Sequence, residues 1–146
     1  MRTLTAGSLF FLYLACTALT PTRAQQGPET SASNRMCGAA GTPFTRTTMY
    51  FGLTKPVGVI SEKQWQSFLR EKVTPRFPDG LTVWEANGQW RAADGHINRE
   101  RAKVLLLVHS DAADVRAAIT AIIAEYKRDY QQESVLWETA PVCAAF

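Results

Sequence analysis

The sequence predicts an α+β fold, a ferredoxin-like sandwich whose antiparallel sheet carries two helices on one face. Three observations predict it. Segments of strand and helix periodicity follow one another in the order β-α-β-(β)-β-α-β. One strand, residues 103–109, is a run of Val and Leu without polar alternation, as expected of a central strand covered on both faces. Two cysteines, Cys37 and Cys143, stand near opposite ends of the mature chain, and this topology brings those ends together. It sets the first and last strands side by side and antiparallel.

Strand one spans residues 47–55, with Met49, Phe51 and Leu53 on one face and Tyr50, Gly52 and Thr54 on the other. Pro56 and Gly58 end it. Helix one opens on a capping box, Ser61 with Gln64, and Ile60 and Trp65 occupy the hydrophobic-staple positions. Trp65, Phe68, Leu69 and Val73 share one helical face. Pro75 stops the helix, because the residue before proline is pushed out of α geometry. Strand two covers residues 81–86. Asn87-Gly88 then reads as a type I′ hairpin turn, whose central residues need positive φ. Residues 89–92 return as a short strand, which adds an extra hairpin to the βαββαβ order. Asp94-Gly95 makes a second turn.

Helix two starts at Ser110 or Asp111 and buries Val115, Ala118, Ile119, Ile122, Ile123 and Tyr126. Asp111 and Asp114 near its start, and Lys127 and Arg128 near its end, suit the helix dipole. The last strand covers residues 134–140, with Val135, Trp137 and Thr139 on one face.

The domain organisation begins with an export signal over residues 1–24. Arg2 precedes an apolar stretch from Leu9 to Leu19, Pro21 breaks it, and Thr22-Arg23-Ala24 suits a cut before Gln25. The alternative is a lipobox, Tyr13-Leu14-Ala15-Cys16, which would lipidate Cys16. The apolar run is too short to span a bilayer, which takes ~20 residues. A flexible leader fills residues 25–41, and a single α+β domain fills 42–146. Localisation is therefore expected to be periplasmic or secreted. Removing residues 1–24 takes away Arg2 and Arg23 and lowers the formal charge from +3 to +1. That balance offers no basic patch for nucleic acid, and no membrane span follows the signal. In an oxidising compartment Cys37 and Cys143 are expected to form a disulfide, two free thiols being the alternative.

No serine elbow, dinucleotide fingerprint or phosphate loop occurs in the sequence, and no metal or cofactor site is expected. His96 and His109 both read as surface histidines without ligand spacing. Two segments stand out. Arg76 to Trp84, continuing to Trp90, contains the turn Pro78-Asp79-Gly80 and two tryptophans, of which one is expected buried and one partly exposed. Tyr126 to Ser134 holds Gln132 and Glu133 where helix two passes into the last strand. Glu100 and Lys103, at the start of the central strand, read as a structural ion pair or as part of a pocket. Arg76, Asp79, Trp90, Glu100, Gln132 and Glu133 are the candidate ligand-binding residues.

These segments carry a resemblance. Tyr50-Phe51-Gly52, Trp65 with Phe68, the run from Val73 to Thr82, Gly88-Gln89-Trp90-Arg91, Glu100 with Lys103-Val104, Tyr126-Lys127 and Gln132-Glu133-Ser134-Val135 resemble DUF3574, a bacterial family of exported proteins. Between Leu53 and Val59 the chain carries less glycine than that family usually does. The resemblance implies an envelope or secreted setting and transfers no activity, cofactor or catalytic residue.

The function expected is that of a non-catalytic exported domain binding a small ligand or a partner. A bare sheet face lined by Tyr50, Thr54, Trp84 or Trp90 would serve as cleft or as homodimer interface. One alternative is a small dimeric enzyme using Glu100 and Glu133 as carboxylates, with Arg76 as anion clamp. The other is a structural or assembly role in the cell envelope.

Overall fold

A computed structural model describes residues 37–91 and 94–146 of the chain. The expected signal, the lipobox alternative and most of the leader lie outside these residues. The domain contains β1 (Thr42–Gly52), α1 (Glu62–Phe68, continued by a π-helical turn, Leu69–Val73), β2 (Thr82–Arg91), β3 (Ile97–His109), α2 (Ala113–Tyr130) and β4 (Leu136–Ala144). The strands form one antiparallel sheet in the order β2-β3-β1-β4. β3 and β1 are central, and β1 lies beside β4. This is the ferredoxin-like arrangement that the sequence predicts.

Alternation along the strands decides which face the helices cover. Met49 and Phe51 of β1 pair with Leu105 and Lys103 of β3, and these side chains point to the helix side. There Met49, Phe51 and Leu105 join Trp65, Phe68, Ile119, Ile122 and Tyr126 in one core. Phe51, Trp65, Phe68 and Tyr126 pack with ring centroids 4.7–6.2 Å apart, mostly edge to face. The capping box forms as expected, Ser61 accepting from the Gln64 N–H and the Gln64 side chain accepting from the Ser61 N–H. Two tyrosine hydroxyls tie α2 down: Tyr126 donates to the Gly52 carbonyl at 2.8 Å and Tyr130 to the Gln64 carbonyl at 3.0 Å.

The extra hairpin does not form. Asn87 and Gly88 lie inside β2, paired with Arg101 and Glu100, and the ladder continues to Arg91 opposite Ile97. The chain reverses at Asp94-Gly95 instead. Gly95 takes a φ of 88°, and the Asp94 carboxylate accepts from the His96 N–H at 2.9 Å. A turn at Asn87-Gly88 would have left the start of β3 without partners, so the longer ladder satisfies more backbone groups. Residues 87–91 and 97–101 consequently project past the end of β1 as a two-stranded ribbon.

Other boundaries shift for similar reasons. β1 starts at Thr42 and ends at Gly52, because its first residues pair with the C-terminal half of β4. α2 starts at Ala113 with Ala112 as a cap lacking a side-chain acceptor, so neither Ser110 nor Asp111 caps it. Asp111 pairs instead with Arg116. His109 is buried, not a surface histidine: it lies 2.8 Å from the Thr47 hydroxyl and donates from Nδ1 to the Ser110 carbonyl. Cys37 and Cys143 form the expected disulfide, with Cα atoms 5.4 Å apart across 106 residues of sequence. No helix of the described residues is long and apolar enough to cross a membrane.

Candidate functional site

Among the described residues, the second face of the sheet carries no helix. Its side chains follow from the register, and across β2, β3 and β1 they form rows. Trp84, Val104 and Tyr50 make one row, continued on β4 by Leu136. The next row is Ala86, Ala102 and Gly52, all small. Beyond it come Gly88 with Glu100, then Trp90 with Asn98. A transverse trough thus runs across three strands, floored by alanine and glycine. Trp84 and Trp90 flank it on the edge strand, ~20 Å apart at the rise of an extended chain. They are 43% and 47% exposed, so neither tryptophan is the buried one expected from the sequence.

Glu100 closes the trough at the β1 end. Its side chain reaches diagonally across the sheet and lies over Gly52, where a Cβ would meet its Oε2 at 2.6 Å. The missing side chain at position 52 is therefore what makes room for the carboxylate. The Thr54 N–H donates to Glu100 at a long 3.4 Å. Among the described residues no cationic side chain pairs with Glu100.

Gln132 completes this corner from the other side of Thr54. Gln131 ends α2 in the left-handed region at φ 56°, the Gln132 N–H bonding back to the Lys127 carbonyl. That reversal sends the Gln132 amide to the Thr54 carbonyl at 2.6 Å and to the Tyr130 carbonyl at 3.3 Å. Thr54 is thus held by Glu100 at its N–H and by Gln132 at its C=O. The Tyr126 hydroxyl beneath Gly52 resists ionisation, first because it is buried and then because Tyr130 and Glu100 add unfavourable charge.

The remaining candidate residues lie elsewhere. Arg76 makes a two-pronged ion pair with Glu125 on α2, at 2.6 and 3.1 Å, and also donates to the Lys72 carbonyl. Asp79 sits exposed in the turn before β2, and Glu133 is exposed beside Gln132. Trp90, Glu100 and Gln132 therefore gather at one end of the sheet, and Arg76, Asp79 and Glu133 do not join them in any hydrogen bond given by the described residues. Lys103 points away from Glu100, to the helix side. It pairs there with Glu62 at 2.7 Å and Glu85 at 2.8 Å, so the two residues at the start of β3 are not a pair.

Ala86 and Ala102 are not among the residues singled out from the sequence, which sets Gly52 on the face of Tyr50 and Thr54 but gives it no role. Their signal is parity: even-numbered residues of β1, β2 and β3 share the open face, and the turn at Asp94-Gly95 extends that parity along the whole of β2 and β3.

The ribbon has a second character on its helix side. Arg99 and Arg101 face that way, Arg101 pairing with Glu85 at 2.7 Å. An open cleft of about 600 Å³ runs along the ribbon, lined by Asn87, Gly88, Gln89, Arg99, Glu100 and Arg101. A smaller concavity of about 310 Å³ wraps the disulfide at the opposite end of β1, between Phe44, Pro141 and Val142. No cluster of metal-ligating side chains occurs among the described residues.

Comparison with known proteins gives a family and a likeness of fold. A family model described as "Protein of unknown function (DUF3574)" matches residues 46–146. No curated protein matches the chain. Among solved structures, a phage SAM lyase in complex with S-methyl-5'-thioadenosine is similar at a TM-score of 0.50 and 14% identity, covering 69% of this chain and 90% of its own. A phage SAM lyase in the apo state gives a TM-score of 0.49 at 15% identity, covering 71% and 92%. At 14% identity the first likeness is one of fold.

Proposed function

The chain belongs to the DUF3574 family, and on that premise we propose that it is a non-catalytic binding domain of an exported protein, taking a small ligand on the open face of its sheet. The observation that supports this reading is the trough: a floor of small side chains between two half-exposed tryptophans, on a face that no helix of the described residues covers. Binding sites are typically concave and largely apolar, with a few placed polar groups. Tryptophan offers large rigid contact area at low entropic cost. The disulfide fits an oxidising compartment, as does the apolar segment that begins the sequence.

Native mass spectrometry of the protein purified from its own host tests the reading. The expected result is a small molecule carried through purification and lost in a Trp84→Ala, Trp90→Ala double variant. A ligand-free species in every preparation would overturn it. A dimer that the same double variant converts to monomer would instead make the open face a contact between two copies.

A further inference from the structure

We propose that the ligand is an organic cation, whose charge faces Glu100 and whose apolar body lies on the alanine floor between Trp84 and Trp90. This inference rests on the binding reading above and assigns its chemical class. Three observations carry it, and the first is the state of Glu100. The carboxylate is half-buried over Gly52, accepts one long hydrogen bond, and has no cationic partner among the described residues. A carboxylate offers about four acceptor sites, so most of this one's capacity is open to a donor from outside.

The second observation is how the chain treats its other carboxylates nearby. Glu85 takes both Arg101 and Lys103, and Glu62 takes Lys103. Arg99 and Arg101 flank Glu100 in sequence, yet the alternation of β3 turns both to the opposite face. Neither arginine forms an ion pair with Glu100, although all three residues border the cleft along the ribbon.

The third is the aromatic setting. Trp84 and Trp90 stand on the same face of β2 and offer apolar contact area to the body of the ligand. The second carboxylate on this face, Glu138, accepts from the Tyr50 hydroxyl at 3.4 Å and adds negative charge. Arg46, the cation on the open face of β1, lies at the row of Val108 and Ala140, two rows beyond Tyr50 from the trough. Charge, shape and aromatic surface thus favour an amine or guanidinium carried on an apolar or aromatic body. A neutral or anionic molecule of the same shape would leave Glu100 uncompensated or repelled.

The test uses two probes of nearly equal shape, phenethylamine and 2-phenylethanol, titrated into the processed protein and followed by tryptophan fluorescence. The cation is expected to bind at least ~10-fold more tightly than the alcohol, a factor that corresponds to one decade in Kd. Glu100→Gln, which keeps shape and removes charge, should erase that preference while the melting temperature stays close to that of the parent. Equal binding of both probes, unchanged by Glu100→Gln, would overturn the cation assignment and leave the ligand reading intact. Binding of neither probe overturns the assignment as well. A neutral or anionic molecule co-purified from the host would then still support the ligand reading, and its absence would end both.

Discussion

β3 presents two charged side chains three residues apart, and their fates differ completely. Lys103 points to the helix side, is buried, and meets two carboxylates at ordinary salt-bridge distance. Glu100 points to the open side, is half-buried, and meets only a distant N–H. Desolvating a charge is costly unless it is paired. The first arrangement is complete among the described residues, and its purpose is the fold. The second is incomplete among them, and that incompleteness is what singles it out. The same contrast extends to the two faces. One buries Phe51, Trp65 and Tyr126 in a closed aromatic core, whereas the other leaves Trp84 and Trp90 half in water.

The contrast is sharpest in the cost of truncation. Phe51→Ala should destabilise by about 3–5 kcal/mol, since it removes a fully buried ring touching three others. Trp84→Ala should cost no more than about 1 kcal/mol despite its greater size, as expected of a surface substitution. Urea unfolding of both variants checks this. Comparable losses would mean the open face is packed in solution.

Next comes the disulfide. Replacing Cys37 and Cys143 by serine should cost about 2–5 kcal/mol through a looser unfolded state. It should leave probe binding unchanged, because the bridge and the trough sit at opposite ends of β1. Loss of binding together with stability would show the two ends to be coupled.

Gly52→Ala separates function from fold most directly. The new Cβ would displace the Glu100 carboxylate, the mobile end of a flexible side chain, and Gly52 has no positive φ to strain. Stability should change by less than about 1 kcal/mol. Cation binding should be lost. A variant that binds phenethylamine like the parent would place the recognition elsewhere.

The smallest effect concerns pH and the Lys103 cluster. Hydrogen bonds, from Gln66 and then Lys103 for Glu62, and from Lys103 and then Arg101 for Glu85, hold both carboxyls below the ordinary 4.5. Their contribution is present above that value and is lost as pH falls through the lowered folded values. For Lys103, burial disfavours the charge, but the hydrogen bonds it donates to Glu62 and Glu85 outweigh it and raise the ammonium above its ordinary 10.5. That contribution is present below 10.5 and disappears as pH rises through the raised value. Lys103→Met should therefore flatten both limbs of a stability–pH curve, slightly, since the carboxylates are exposed. A Glu100→Gln variant should leave both limbs as they are in the parent.

Much of this architecture can be read from the chain alone. The alternation in β1, the capping box at Ser61 and Gln64, and the stripe of α2 are strong local signals that agree with the global fold. The hairpin was ambiguous because two turn signals compete seven residues apart. Asn87-Gly88 is locally the stronger, but only Asp94-Gly95 lets the whole of β2 pair with β3. That choice also sets the register, and with it which residues form rows. Trp90, Glu100 and Gln132 were recognisable as unusual from sequence. Gly52 as the space beneath Glu100 was not, because a gap between strands has no sequence signature until the register is known. His109 read as exposed since nothing local to it announces Thr47, 62 residues away.

The Cys37–Cys143 bridge has a bearing on how the domain is presented. It fastens the start of β1 to the last residues of β4, and Phe146 packs on Phe44 in the same place. Both ends of the described chain are therefore moored at one pole, and the trough lies at the other, about 30 Å along β1. A surface that grips the domain at the disulfide pole in an assay leaves the trough turned toward the solution at the other.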